Sequence, residues 1–349
     1  MRKLIAICLC SVLALAATSG RAEIVRGLYS AQVPVADQSA GALTAASREA
    51  LSQVLVKISG STGVLRNPDV AASMREARKH VLQYAYVRDN GEDGGGLEAR
   101  FEFDDSWVVE MLTRAGEPLW TANRPLVLVW LVAEDAGGRY FVNHDSSPEL
   151  AGQVLEAFAR RGVPVQLPLF DLADSTALST EEAWRLYGPA LQAASTRYDV
   201  ENFIAGRMVA LSTGSATGDW SYFYEGDRID RTVTAADAAD FVERGVTIVA
   251  EDMAARYAVA PTLSDQGGLT LSVQGVQRYA DYAGVVAWLE GLELIEHANV
   301  ERISGDRIEL RLQASAGAGQ LASIIELNER LIPVPPQAPH IQLSYQWQN

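Results

Sequence analysis

The chain has 349 residues, 48% hydrophobic and 21% charged, which excludes a disordered chain and gives room for two or three domains with cores of their own. Its 29 basic residues stand against 44 acidic ones, a formal net charge of −15 that repels phosphate backbones and anionic membrane surfaces. No basic patch offsets this charge, so nucleic-acid binding is excluded as an expectation.

At the N-terminus, Met1-Arg2-Lys3 forms a positive start, Leu4 to Ala17 an apolar run too short to span a bilayer, and Gly20-Arg21-Ala22 a small-residue cleavage site. Residues 1–22 are therefore expected to be a signal peptide cut near Ala22, with the remaining chain exported to the periplasm. Without Arg2, Lys3 and Arg21, 26 of the 29 basic residues remain against 44 acids, a net −18. Both cysteines, Cys8 and Cys10, lie in this leader. The mature chain is expected to be cysteine-free, with no thiolate for catalysis or metal binding and no transmembrane segment.

Residues 23–120 read as a small α+β domain. Leu28 to Val35 suggests a strand, and Gly41 to Ile58 a helix whose apolar stripe is Leu43, Ala46, Ala50, Val54 and Ile58. A second helix begins at Asn67-Pro68-Asp69 and carries Val70, Met74, Ala77 and Val81 on one face. After a glycine-rich stretch at Gly91–Gly96, which reads as a loop, Leu97, Ala99, Phe101 and Phe103 alternate with polar residues as a half-buried strand. Asp104-Asp105-Ser106 leads into a short helix with Trp107, Val108, Met111 and Leu112.

Residues 121–262 read as a central α/β domain with a mixed sheet. Its centre is Pro125 to Ala133, a continuous Val/Leu run that reads as a strand buried on both faces. A helix from Ser147-Pro148-Glu149 follows, then an edge strand over 163–169, a helical region over 180–198 broken at Gly188-Pro189, and a strand over 203–211. A hairpin turning at Gly226-Asp227 then delivers the chain to a long helix, expected to start with Thr234 and Asp237 as a capping pair.

Residues 263–349 give the order βαββαβ, a ferredoxin-like sandwich, with a last strand over 341–347. There Ile341, Leu343, Tyr345 and Trp347 share one face. The strand either completes its own sheet or is donated to a partner.

Candidate chemistry is sparse. The four histidines are far apart, and no nucleophile elbow, zinc-protease or phosphate-loop motif occurs. Asn143, His144 and Asp145 precede a helix N-terminus and form a polar cluster, which reads more simply as a capping loop. Trp220, Tyr222 and Tyr224 fall on one strand face. Exposed, they would stack on sugar rings; aromatics at period two more often pack in a core or between domains.

Three stretches, Ala45 to Gly60 (AASREALSQVLVKISG), Arg124 to Val132 and Asp199 to Gly206 (DVENFIAG), give the chain a pattern that resembles the domain of unknown function 2066 family, exported proteins of Gram-negative bacteria. The likeness runs from about 24 to 260. In architecture the first unit is similar to the N-terminal domain of the flagellar H-ring T protein. The middle unit is similar to small α/β domains of the Tol-Pal propeller protein and the curli secretion channel. The resemblance implies envelope assembly and assigns no site residue. The expectation is a non-catalytic periplasmic adaptor or scaffold without cofactor, acting through contacts with an envelope protein. The alternatives are a peptidoglycan-binding module, or a hydrolase in which two acids, or His144 and an acid, converge in one cleft.

Overall fold

The computed structural model describes residues 22–88, 96–260, 268–327 and 330–348. The expected leader, apart from Ala22, and most of the glycine-rich loop lie outside the described residues. The chain folds as a multidomain α/β protein with helices packed on three main sheets.

The first unit contains β1 (Ala22–Ile24), β2 (Ser30–Pro34), α1 (Ala40–Ser59), α2 (Pro68–Ser73), β3 (Val81–Arg88), β4 (Leu97–Phe103), α3 (Asp105–Arg114) and β5 (Asn123–Pro125). Its antiparallel sheet has the order β2-β4-β3. Ser39 caps α1 by accepting from the Ala42 amide at 3.2 Å, and Gly60 closes it in the left-handed conformation (φ 76°) that favours glycine. The predicted stripe of α1 is buried in one core with Val33, Ala99, Phe101 and Phe103. The second helix is shorter than its pattern suggested. It gives way to a 3-10 stretch, Met74–His80, and Val81 opens a strand. Pairing with β4 supplies ladder hydrogen bonds that outweigh the weak helical spacing there.

The central unit contains β6 (Val127–Asp135), β7 (Gly138–Phe141), α4 (Pro148–Arg161), β8 (Val165–Gln166), α5 (Leu172–Ala177), α6 (Thr180–Trp184), α7 (Gly188–Ser195), β9 (Asn202–Ala210), β10 (Ala216–Tyr224), β11 (Asp227–Ala235) and α8 (Ala238–Tyr257). The sheet order is β11-β10-β9-β6-β7, with β8 also on β6. β6 runs parallel to β9 and β8, so the sheet is mixed. Strand alternation divides β6 between two cores. Val127, Val129, Leu131 and Ala133 pack with α4 and α8, whereas Leu128, Trp130 and Val132 pack with the helices from α5 to α7. The edge strand expected over 163–169 shrinks to two residues, because Pro164 and Pro168 cannot donate to a ladder. Asp237, not Thr234, caps α8, accepting from the Asp240 amide at 2.8 Å.

The last unit contains β12 (Leu269–Gln274), α9 (Tyr279–Glu290), β13 (Ile295–Ser304), β14 (Arg307–Ala314), α10 (Ala318–Glu326), β15 (Leu331–Pro333) and β16 (Leu343–Trp347). Its sheet has the order β13-β14-β12-β16-β15. The expected βαββαβ order gains a strand. After α10 the chain forms β15, the segment after Pro333 reverses it, and β16 returns between β15 and β12, parallel to β12. The last strand thus completes its own sheet rather than standing free for donation.

Candidate functional site

Among the residues singled out from sequence, Trp220 and Tyr222 are buried (2% and 0% exposed). The Trp220 indole donates to the Phe241 carbonyl at 3.1 Å and stacks on the Phe241 ring. The Tyr222 hydroxyl donates to Asn202 Oδ1 at 3.2 Å and accepts from Arg256 at 3.0 Å. Tyr224 is half-buried between Tyr222 and the Arg256 guanidinium. A sugar has no access to the first two rings, so these residues do not form a stacking platform. Ile341, Leu343 and Tyr345 are likewise buried, and Trp347 is half-buried. The Tyr345 hydroxyl donates to Glu326 at 3.1 Å.

The polar loop is a cap. Asn143 Oδ1 accepts from the amides of Asp145 and Ser146 at 2.8 and 2.7 Å, while His144 and Asp145 are exposed and no acid converges on them. A closer approach to a paired carboxylate is Asp171 with Asp174, which the sequence reading passed over. Both carboxylates hold Arg197, at 2.7 and 2.9 Å. Asp174, buried, also accepts from the Tyr198 hydroxyl and the Phe170 amide. The Arg197 guanidinium keeps Asp171 well below the usual carboxylate range, the reverse of what a general acid needs. This cluster fastens a loop. Among the described residues no group of three or more His, Cys, Asp or Glu side chains is placed to hold a metal ion, and no helix is long and apolar enough to cross a membrane.

Two features were missed from sequence. One is the segment Leu119–Arg124, where the three units meet. Leu119 exchanges two 2.8 Å backbone hydrogen bonds with Val259, the Trp120 amide donates to Ile58, and the Ala122 amide donates to Glu293 at 2.9 Å. Asn123 reaches the Ile324 carbonyl at 3.0 Å. Arg124, fully buried, donates to the carbonyls of Trp120, Thr121, Lys57 and Gly162 at 2.7–2.9 Å, and its guanidinium lies 3.8 Å over the Trp120 ring. Lys57 and Gly162 lie at the C-terminal ends of α1 and α4. There unpaired carbonyls and the negative end of the helix dipole compensate a cation. Burial pushes the Arg124 guanidinium down to about 9, so it is charged at neutral pH.

The other feature is β3. Among the described residues it is paired on one side only, by β4. It has no charge before Arg88 and no proline, and Leu82, Gln83, Tyr84 and Ala85 are exposed. The other long sheet edges carry protection of known kinds. β11 has four charged residues, and β13 is interrupted by two register shifts. β15 is three residues long and ends in proline, and β2 also ends in proline. In β3 one shift at Leu82 leaves Gln83–Arg88 in regular register. Beside it a cleft of about 490 Å3 is lined by Tyr29, Ser30, Gln83, Arg100 and Glu102.

Residues 22–121 match a family described as a domain of unknown function (DUF8605), less than a third of the chain. No curated protein matches it. Among solved structures, an uncharacterised protein is 10% identical over 38% of this chain and 90% of its own, with a TM-score of 0.19. A competence or damage-inducible protein from Enterobacter asburiae is 13% identical over 43% and 94%, with a TM-score of 0.22. A formyltetrahydrofolate deformylase from Pseudomonas putida KT2440 is 10% identical over 55% and 89%, with a TM-score of 0.16. Likenesses this weak carry no argument about fold or function.

Proposed function

We propose that the protein is an exported, non-catalytic adaptor of the Gram-negative envelope that binds an extended segment of a partner protein as an added strand on β3. The observation that carries this reading is the bare edge itself: a run of unpaired backbone donors and acceptors without charge or proline, in a molecule whose other long edges are protected. A net charge of −15 disfavours pairing between two copies and favours a neutral or basic partner segment. The leader-like residues 1–22 and the resemblance to the domain of unknown function 2066 family support the periplasmic placement.

The test is a photo-crosslinker at Gln83, whose side chain is exposed, in the exported protein in cells. A single protein adduct that disappears when Leu82→Lys and Ala85→Lys are added supports the reading. No adduct, an adduct with a second copy of the chain, or one indifferent to the two lysines overturns it.

A further inference from the structure

Where the three units meet, a cleft of about 780 Å3 is walled by Ile24, Leu155 and Val165, with Arg26 and Arg330 at its rim and Gly162 in its floor. Ile24 is 56% exposed, an apolar side chain with little cover. Both rim arginines are exposed, and neither has an ion-pair partner among the described residues, although acids outnumber bases 44 to 29 in this chain. The floor at Gly162 is closed by the buried side chains of Lys57 and Arg124. A Cβ on Gly162 would lie 2.6 Å from Lys57 Cγ and 2.7 Å from Arg124 Nη1. Lys57 donates to the Ser30 carbonyl at 2.8 Å and has no carboxylate partner among the described residues. Arg124 is balanced at longer range by Glu293.

Apolar walls and an open cationic rim form a local exception to the molecule's acidity. We infer that this cleft binds one anionic amphiphile, with Arg26 and Arg330 on its head group and Ile24, Leu155 and Val165 against its chain. The planar guanidinium fork suits a carboxylate or a phosphate equally. The head group thus comes from a fatty acid or from a phospholipid-derived phosphate. The overall negative charge keeps the protein off anionic membrane surfaces, so the ligand is a single molecule rather than a bilayer. This site is separate from the β3 edge and stands whether or not that edge binds a strand.

The experiment is calorimetric titration of the full exported chain with dodecanoate, dodecyl phosphate and the uncharged dodecyl maltoside, each below micelle formation and at low salt. The wild type is expected to bind at least one anionic ligand tenfold or more tightly than the maltoside. Arg26→Gln with Arg330→Gln removes that preference without moving the thermal midpoint. Preference for dodecanoate assigns a fatty-acid source, and preference for dodecyl phosphate a phospholipid source. No binding, equal binding of the uncharged ligand, or an anion preference that survives in the double variant overturns the inference.

Discussion

Trp220 lies in a slot that two glycines make. A Cβ on Gly206 of β9 would come within 2.4 Å of the indole ring, and one on Gly245 of α8 within 2.5 Å. In an exposed helix, replacing glycine by alanine stabilises by about 0.5–1 kcal/mol through backbone entropy. At Gly245 overpacking against a buried ring opposes that gain, at about 1–3 kcal/mol. Gly245→Ala is therefore expected to lower the unfolding free energy by about 1 kcal/mol or more. Gly152→Ala, on the open side of α4 with nothing within 4 Å, is expected to raise it by about 0.5 kcal/mol. Urea denaturation of the two variants measures the pair, and equal signs would show that Trp220 is not held as described. Period-two aromatics alone cannot tell a platform from a core, because both need the same spacing. The better signal was the glycines: Gly206 ends the run Asp199–Gly206, and Gly245 interrupts the apolar stripe of α8, where only a close approach repays a glycine.

The same limit applies to whole elements. β6 was legible because a strand buried on both faces needs an unbroken apolar run, and its two cores divide its residues alternately. β3 was not, because Val70, Met74, Ala77 and Val81 fit a helix, and the Tyr84/Tyr86 alternation that follows earns its ladder only from β4, far along the chain. β16 was legible as a strand, but its neighbours were not. Whether a last strand adds to an edge or enters between two others depends on the direction in which the segment after Pro333 turns the chain. Its interior position carries a prediction. Tyr345 is 2% exposed between β12 and β15, and its hydroxyl is tied to Glu326. Tyr345→Ala removes a buried ring and leaves that carboxylate without its donor, which is expected to cost about 3–5 kcal/mol. An edge strand's half-exposed tyrosine would cost far less. A midpoint shift in urea of the small kind typical of surface changes would place β16 outside the sheet.

At the scale of the molecule, the first and central units are joined by Arg124 set against the ends of α1 and α4, with Lys57 buried beside it, and this arrangement makes stability depend on alkaline pH. Burial, and then the neighbouring Arg124, push Lys57 down from 10.5 to about 8 in the folded chain. Between those two values the unfolded chain binds the extra proton, so unfolding becomes harder as pH rises from about 8 towards 10.5. Below pH 8 the lysine is charged in both states and the cost of its burial is felt in full. Relief of a shift this large is worth up to about 3 kcal/mol. Arg124, down at about 9, adds to the rise in the same sense, but above pH 10 the trend turns, because Tyr29, Tyr222 and Tyr345 are all raised by burial and the unfolded chain then loses three protons first. The expected profile rises through pH 8–10 and falls beyond it. Lys57→Met separates the contributions. It loses the hydrogen bond to Ser30 but also the cost of burying a charge, and it cannot titrate, so its rise between pH 8 and 10 should be smaller than that of the wild type by most of the Lys57 share. Parallel urea titrations at half-unit steps give the difference curve. A difference that stays constant across that window would mean that Lys57 is not desolvated at the junction, and that the contact between the first unit and Arg124 is looser than these distances describe.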